Sequence, residues 1–247
     1  MPQNITINIA GENALIIYFT EENGNQVSDG ISAKVQQVEQ LIRKAMTQDL
    51  ADDIIDLVPS YASLMVMFNM MTTDYHHIRS RLRTLLQQID QPSGDEVETY
   101  IDNIVELPVY YSNESGPDLT VIANRAQLTV EDVIALHQAQ TYRVYAIGFA
   151  PGFAYLGEVD ERIAAPRLST PRMKVPKGAV AIADRQTAIY PSVSPGGWNI
   201  IGLCPIDMFD PKANPTMPVK VGDKVKFKSI SKAEFIALGG VLEVNYE

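Results

Sequence analysis

The sequence predicts an α+β N-terminal domain followed by a mostly β C-terminal domain built as a barrel or sandwich. Three observations predict it. Two pairs of alternating apolar runs are each followed by a helix-spaced run before residue 90; a polar loop with Pro92 and Gly94 then interrupts the pattern; and from Tyr142 onward strand runs are short and broken by Gly and Pro. A chain of 247 residues can bury two such cores, and the loop places the domains at 1–92 and 93–247.

In chain order, ITINIAG and ALIIYFT alternate across Gly11-Glu12-Asn13 and read as a hairpin. Ile31, Val35, Val38, Ile42 and Ala45 recur at helical spacing behind Ser28 or Asp29 as N-cap. DIIDLVPS and YASLMVMFN follow as two strands across Pro59-Ser60, then a helix capped by Asp74 with Ile78, Leu82, Leu85 and Ile89 on one face. An antiparallel sheet backed by two helices results. Beyond the Asp90–Glu96 loop, YIDNIVELPVYY reads as a strand. Two short helices are expected at Leu119–Ala126 and from Thr129, where Thr129 and Asp132 have capping-box spacing. VKVGDKVKF reads as a late hairpin turning at Gly222-Asp223.

Composition excludes several function classes. No run approaches a membrane span, and the opening residues alternate like a strand instead of forming a secretion leader. Cys204 is the single cysteine, which rules out an internal disulfide and a Cys-based zinc cage and fits a cytoplasmic address. Adjacent His76 and His77 point in different directions and cannot chelate one ion together, so no metal site is expected. A net charge of -10 opposes general nucleic-acid binding. Yet Arg162, Arg167, Arg172, Lys174, Lys177 and Arg185 follow one another with Asp184 the only acid between them, a local cationic patch.

That patch coincides with an unusual density of backbone-constraining residues: GFAPGFAYLG, APRLSTPRMKVPKG and YPSVSPGGWN. Barrel corners alone call for scattered Gly and Pro. Here, however, stiff loops also carry the guanidinium groups of Arg167 and Arg172, the phenols of Tyr155 and Tyr190 and the indole of Trp198, the combination a preformed small-molecule site requires. Arginine pairs bidentately with carboxylate or phosphate, so two on one loop imply an anion. Each arginine is as well explained as a solvated surface residue or by an ion pair with Glu158, Asp160 or Glu161, and Trp198 is better explained by a place in the core. His137, at the end of an expected helix, is open to a structural or an acid/base role.

GPDL at Gly116–Leu119, ALHQAQTYRVYAIGFAPGFAYLG, PRLSTPRMKVPKGAVAIADRQTAIYP and SPGGWNIIG, in this order, resemble the family of B-type 5-oxoprolinase subunits, which also includes Kip-type kinase inhibitors and the first component of allophanate hydrolase. The motifs span roughly 108–227. The resemblance implies a cyclophilin-like β-barrel as the second domain. It also implies one component, inactive on its own, of an ATP-dependent 5-oxoprolinase complex that hydrolyses 5-oxo-L-proline to L-glutamate. The implied partners are the sister C-type and the large A-type 5-oxoprolinase subunits. The lactam is a stable amide, which makes the use of ATP, with Mg, by the complex chemically reasonable. By position, the resemblance gives catalytic roles to His137, Tyr155, Arg167 and Arg172. It gives substrate binding to Gly148, Phe149, Pro151, Gly152, Phe153, Lys177, Gln186, Tyr190, Pro195, Gly196, Gly197 and Trp198. Two departures stand out: Ala188 replaces an expected glycine, and Leu203-Cys204 replace an expected Arg-Thr, removing one anion contact for which Lys177 is the available substitute. Within the family, inhibition of a sensor histidine kinase and a carboxyltransferase role in a urea carboxylase-like system are the alternative functions.

Overall fold

The computed structural model describes residues 4–21, 28–87, 89 and 104–242. Contacts divide the chain into two compact units, Met1–Ile101 and Asp102–Glu247. The expected boundary at 92/93 and its loop lie outside the described residues.

In the first unit, β1 (Ile5–Ile9) and β2 (Ala14–Phe19) form the expected hairpin, with Ile7 opposite Ile17. Helix α1 (Asp29–Met46) follows, and the Ser28 hydroxyl accepts the Ile31 N–H at 3.1 Å. After β3 (Ile54–Pro59) and β4 (Ser63–Phe68) comes α2 (Tyr75–Leu86), whose cap Asp74 accepts the His77 N–H at 2.9 Å. The antiparallel sheet runs β1-β2-β4-β3. Alternation sends Leu15, Ile17, Leu64 and Val66 to one face, where Val35, Val38 and Ile42 of α1 and Ile78 and Leu82 of α2 bury them. On α2 the buried stripe continues to Leu86, four residues beyond Leu82, leaving Leu85 only half-buried. His76 and His77 are exposed.

The second unit starts with β5 (Ile104–Val109), α3 (Leu119–Ala126) and α4 (Val130–Ala139). The Thr129–Asp132 box at α4 is reciprocal, with the Thr129 hydroxyl accepting the Asp132 N–H and the Asp132 carboxylate accepting the Thr129 N–H. Short strands follow: β6 (Tyr142–Ile147), β7 (Ala154–Gly157), β8 (Arg172–Val175), β9 (Ala179–Ala183), β10 (Gln186–Ile189), β11 (Ser194–Gly196), β12 (Asn199–Leu203) and β13 (Lys224–Ser229), before α5 (Lys232–Ala237). Seven strands of this unit form one sheet ordered β12-β9-β10-β7-β6-β13-β5, and β8 with β11 makes a separate ribbon. Tyr110, just past β5, exchanges hydrogen bonds of 2.9 and 3.0 Å with Leu203 of β12, so the sheet curls into a nearly closed barrel.

The hairpin expected in VKVGDKVKF does not form. Gly222 N–H donates to the Val144 carbonyl and Val144 N–H to that of Asp223, while the buried Asp223 carboxylate accepts the Lys220 N–H. These bonds tie the turn to β6, and β13 pairs with β5 and β6 instead of with its own upstream residues.

Barrel strands bury both faces. One face, with Val144, Leu156, Val180, Ile182, Ile189 and Ile201, joins α3 and α4. The other, with Ala181, Ala183, Ala188 and Ile200, is covered by Phe153, Tyr190 and Trp198. Ala188, Leu203 and Cys204 sit in these cores, each no more than 4 % exposed, which accounts for apolar residues at those positions. Among the described residues, no helix is long and apolar enough to cross a membrane.

Candidate anion site on the aromatic face of the barrel

The GFAPGF stretch is a tight turn. Gly148 N–H donates to the Phe153 carbonyl and Phe153 N–H to that of Ala150, both at 3.0 Å. Phe149 takes φ 72, a left-handed conformation that costs a bulky residue on the order of 1–3 kcal/mol, and its ring is 67 % exposed. Pro151 is exposed at the tip and Gly152 buried beneath it. Phe153 turns inward and becomes a hub. Its ring lies edge-on to Phe149, Tyr155, Tyr190 and Trp198 at centroid distances of 5.2, 4.9, 5.2 and 5.6 Å. Such edge-to-face geometry fixes ring orientation beyond what burial alone does.

Tyr190 enters this cluster because residue 196 is glycine: a Cβ there would stand within hard-contact distance of the Tyr190 hydroxyl. Its phenol is hydrogen-bonded by the Trp198 backbone N–H. Burial pushes its pKa up to about 12, while that bond and the charges of Arg167 and then Arg172 pull the other way. Both arginines therefore act on one phenol.

The segment bearing Arg167 is pinned on each side. The Asn199 side-chain amide donates to the Pro166 carbonyl at 2.8 Å and to that of Ile182 at 3.1 Å, and Leu168 N–H donates to the Gly197 carbonyl at 2.7 Å. Between these pins the exposed Arg167 places its guanidinium carbon 5.8 Å from the Trp198 ring centroid, within cation–π range. Trp198 itself is 4 % exposed, so it is a core residue that also floors the arginine.

Arg172 is held differently. Its two terminal nitrogens donate to the two Asp118 oxygens, each at 2.9 Å, and one of those oxygens also accepts the Ile200 N–H at 2.7 Å. The pairing partner is thus Asp118 of the GPDL motif, not Glu158, Asp160 or Glu161. The patch as a whole is far less cationic than its sequence: Arg162 pairs with Asp160, Lys177 with Asp207 at 2.7 Å, and Arg185 with Glu158 and Glu161. Only Arg167 and Lys174 of the six have no carboxylate partner among the described residues. The acids just ahead of the run compensate Arg162 and Arg185, and the distant Asp118 and Asp207, which a linear reading misses, compensate Arg172 and Lys177. The Lys177 ammonium, expected to replace a lost arginine, is already engaged.

His137 is fully buried. Its Nε2 lies 3.0 Å from the Thr187 hydroxyl and its Nδ1 2.8 Å from the Tyr111 hydroxyl, and its ring stacks on Phe227 at 4.6 Å. Thr187 gives its own hydrogen to the Ala181 carbonyl, so Nε2 carries the proton and Nδ1 accepts from Tyr111. Burial alone drives the pKa down to about 3. Thr187 and Ala188 are consecutive on β10 and point to opposite faces, so the sheet separates His137 from the aromatic cluster. The geometry makes it a neutral strut, with no ring atom exposed for proton transfer to a ligand.

The structure therefore brings together Phe149, Phe153, Tyr155, Tyr190, Trp198, Arg167 and Arg172, with Gly196 and Gly197 as the backbone between the arginines. Pro195 is exposed on β11, Gly148 starts the turn, and half-buried Gln186 opens β10 opposite Gly157. Asp118 and Asn199 are the residues that the sequence reading missed. Asp118 lay inside a motif already noticed, but nothing in one dimension linked it to Arg172. A cavity of about 500 Å³ lined by Phe19, Glu21, Ile31 and Lys34 belongs to the N-terminal unit and touches none of these groups.

Known proteins share this sequence and this fold. A family model described as carboxyltransferase domain, subdomain C and D, matches residues 5–219. The chain is similar to the B-type 5-oxoprolinase subunit of Bacillus subtilis (strain 168), with 38% identity over 233 residues, covering 92% of this chain and 93% of the relative. A crystal structure of TTHA0988 superposes with a TM-score of 0.72 at 32% identity over 90% of the chain, which spans 40% of that longer chain. The Kluyveromyces lactis urea carboxylase structure shares the fold at a TM-score of 0.67 and 14% identity, over 94% of this chain and 22% of its own.

Proposed function

The chain belongs to the family of carboxyltransferase domains, subdomain C and D, and from that premise we propose that it is the B-type component of an ATP-dependent 5-oxoprolinase complex. The sister C-type and the large A-type 5-oxoprolinase subunits complete the complex, it works in the cytoplasm, and the cyclophilin-like character of the barrel belongs to the same reading. The observation that carries the proposal is Arg167, a guanidinium without a carboxylate partner among the described residues, presented over an indole by a segment pinned at both ends. 5-Oxoproline is a small, flat lactam bearing one carboxylate. Arg167 offers the carboxylate a bidentate fork, and the exposed Phe149 ring and half-buried Tyr155 ring, both packed on Phe153, offer the lactam an apolar contact. Arg167 and its supports bind and orient; Asp118 is tied up on Arg172, burial keeps the Tyr190 phenol protonated, and His137 is across the sheet.

The residues here do not fit a magnesium nucleotide. A triphosphate keeps net negative charge even with magnesium bound, and the loops that carry Arg167 hold no Gly-Lys-Ser/Thr phosphate cradle to grip it. Nucleotide chemistry is therefore assigned to the rest of the complex. A carboxyl-transfer role, the second reading, draws on the family description and on a fold shared with urea carboxylase; no side chain of the site favours it.

Reconstitution tests the proposal: the chain alone should not turn over 5-oxoproline, and adding both partners should release glutamate in step with ATP hydrolysis. Bicarbonate-dependent carboxyl transfer without glutamate release would select the second reading.

A further inference from the structure

Arg167 and Arg172 flank one stretch of backbone. Leu168 bonds the carbonyl of Gly197, and Arg172 stands in register with Gly196, so the two cations approach Tyr190 from either side of residues 196–198. Lys174 lies two residues further along β8, on the side toward Ser194. With Asp118 forked onto Arg172, the pair is neutral, and the uncompensated charge over the Trp198 ring is that of Arg167, with Lys174 the next cation along the ribbon. We infer that Asp118 is a specificity-determining residue: by cancelling the charge of Arg172 while leaving it in place, it tunes the site to a monoanion such as a carboxylate and against polyanions such as the phosphates of a nucleotide.

Three features support this. Among the described residues the fork uses two of the five guanidinium N–H groups of Arg172, which leaves the others as neutral-pair donors. Asp118 is 6 % exposed, so the pair is shielded and salt screens it little. The same carboxylate grips Ile200 N–H, and Asp118 N–H donates to the Ile200 carbonyl at 3.0 Å, which locks the acid to β12 and keeps it from following a ligand. A polyanion entering beside Arg167 meets Asp118 as an uncancelled repulsion if it draws Arg172 away, whereas a single carboxylate needs only Arg167.

The inference rests on the site reading above, and its test separates the two. Trp198 is the only tryptophan of the chain and lies under Arg167, so its fluorescence reports occupancy of the full-length protein. Titrations with 5-oxoproline and with pyrophosphate at fixed ionic strength should show saturable binding of the first and at least about tenfold weaker binding of the second. Asp118→Asn adds one net positive charge beside Arg167, which near a protein surface corresponds to roughly tenfold for a multiply charged ligand. It should raise pyrophosphate affinity by about that factor and 5-oxoproline affinity by less. The double variant Asp118→Asn/Arg172→Gln restores the neutral count and should return the wild-type preference. Arg172→Gln alone leaves Asp118 unbalanced and should weaken both ligands, pyrophosphate more; it serves if Asp118→Asn does not fold. No response of the wild-type chain to 5-oxoproline would remove the site reading and this inference with it. A wild-type response combined with unchanged ligand preference in Asp118→Asn, or with an Arg172→Gln variant that binds like wild type, overturns the role of Asp118 alone.

Discussion

Asn199 and Pro166 are joined by a 2.8 Å hydrogen bond from a side-chain amide to a carbonyl across 33 positions, and that bond aims the neighbouring Arg167. The amide is buried and shares its two hydrogens between Pro166 and Ile182. Asn199→Ala removes both and takes a donor from the buried Ile182 carbonyl, at about 1–3 kcal/mol when unsatisfied, while water can replace the lost partner at exposed Pro166. The expected result is a melting temperature several degrees lower together with weakened 5-oxoproline binding, because the arginine loses its frame. A variant with lowered melting temperature and wild-type ligand affinity would show that Leu168–Gly197 alone positions the loop.

Arg167 itself makes no ion pair among the described residues, so its removal separates function from fold. Arg167→Ala should leave the melting temperature within a degree or two and reduce turnover of the reconstituted complex by roughly tenfold to a hundredfold, as expected for loss of a charge-assisted bond on the order of 1.5 to 3 kcal/mol. Arg167→Lys keeps the charge but not the planar fork and should recover only part of that. Turnover close to wild type in both variants would dismiss Arg167 as the anion contact.

The contrast between Arg167 and Arg172 marks where the sequence stops being informative. Alternation and helical spacing suffice for β1 to β4, α1 and α2 because local periodicity decides which face is buried. Motif composition likewise picks out Tyr155, Tyr190 and Trp198 as neighbours of one loop cluster, and the family resemblance adds Phe153. It does not show that Asp118 crosses 54 positions to neutralise Arg172, or that β10 points Thr187 and Ala188 to opposite faces and so puts His137 behind the sheet. Those facts are set by long-range strand pairing, for which a single sequence holds no register. The VKVGDKVKF hairpin failed for a related reason: Gly222 and Asp223 do turn the chain, but the Gly222 N–H and the Asp223 carbonyl bond Val144 on β6.

Gly116 offers a test of the clamp between GPDL and β12. A Cβ at this position would fall into hard contact with the backbone carbonyl of Ile201, and none of the atoms it meets belongs to a flexible side chain. Gly116→Ala must therefore move the strand or the loop, breaking the Asp118–Ile200 bonds. Destabilisation on the order of 2–4 kcal/mol is expected by urea titration. Gly148→Ala is the control, since a Cβ there meets nothing within 4 Å; it should change stability by less than about 1 kcal/mol. Equal tolerance at both positions would refute the close approach.

The last prediction concerns pH and His137. In the folded chain burial holds this imidazole neutral, with a pKa of about 3, whereas in the unfolded chain it titrates near its ordinary value of about 6.5. Between those values the unfolded state binds a proton that the folded state refuses, so falling pH favours unfolding. The contribution to stability is fully present above the unfolded pKa and is lost as pH drops from there toward the folded one, with a slope of up to about 1.4 kcal/mol per pH unit. Urea midpoints for the wild-type chain should therefore fall steadily from about pH 7.5 to about pH 5. His137→Gln cannot titrate. It loses the Phe227 stacking and part of the Tyr111–Thr187 bridge, so it should start lower at the upper end of that range but decline with a visibly shallower slope. The two curves should converge toward the acid end, and the ligand response of Trp198, measured where both proteins are folded, should be nearly the same because the sheet lies between. Parallel curves would assign the acid sensitivity to other groups, and a lost Trp198 response at full stability would restore His137 to the site.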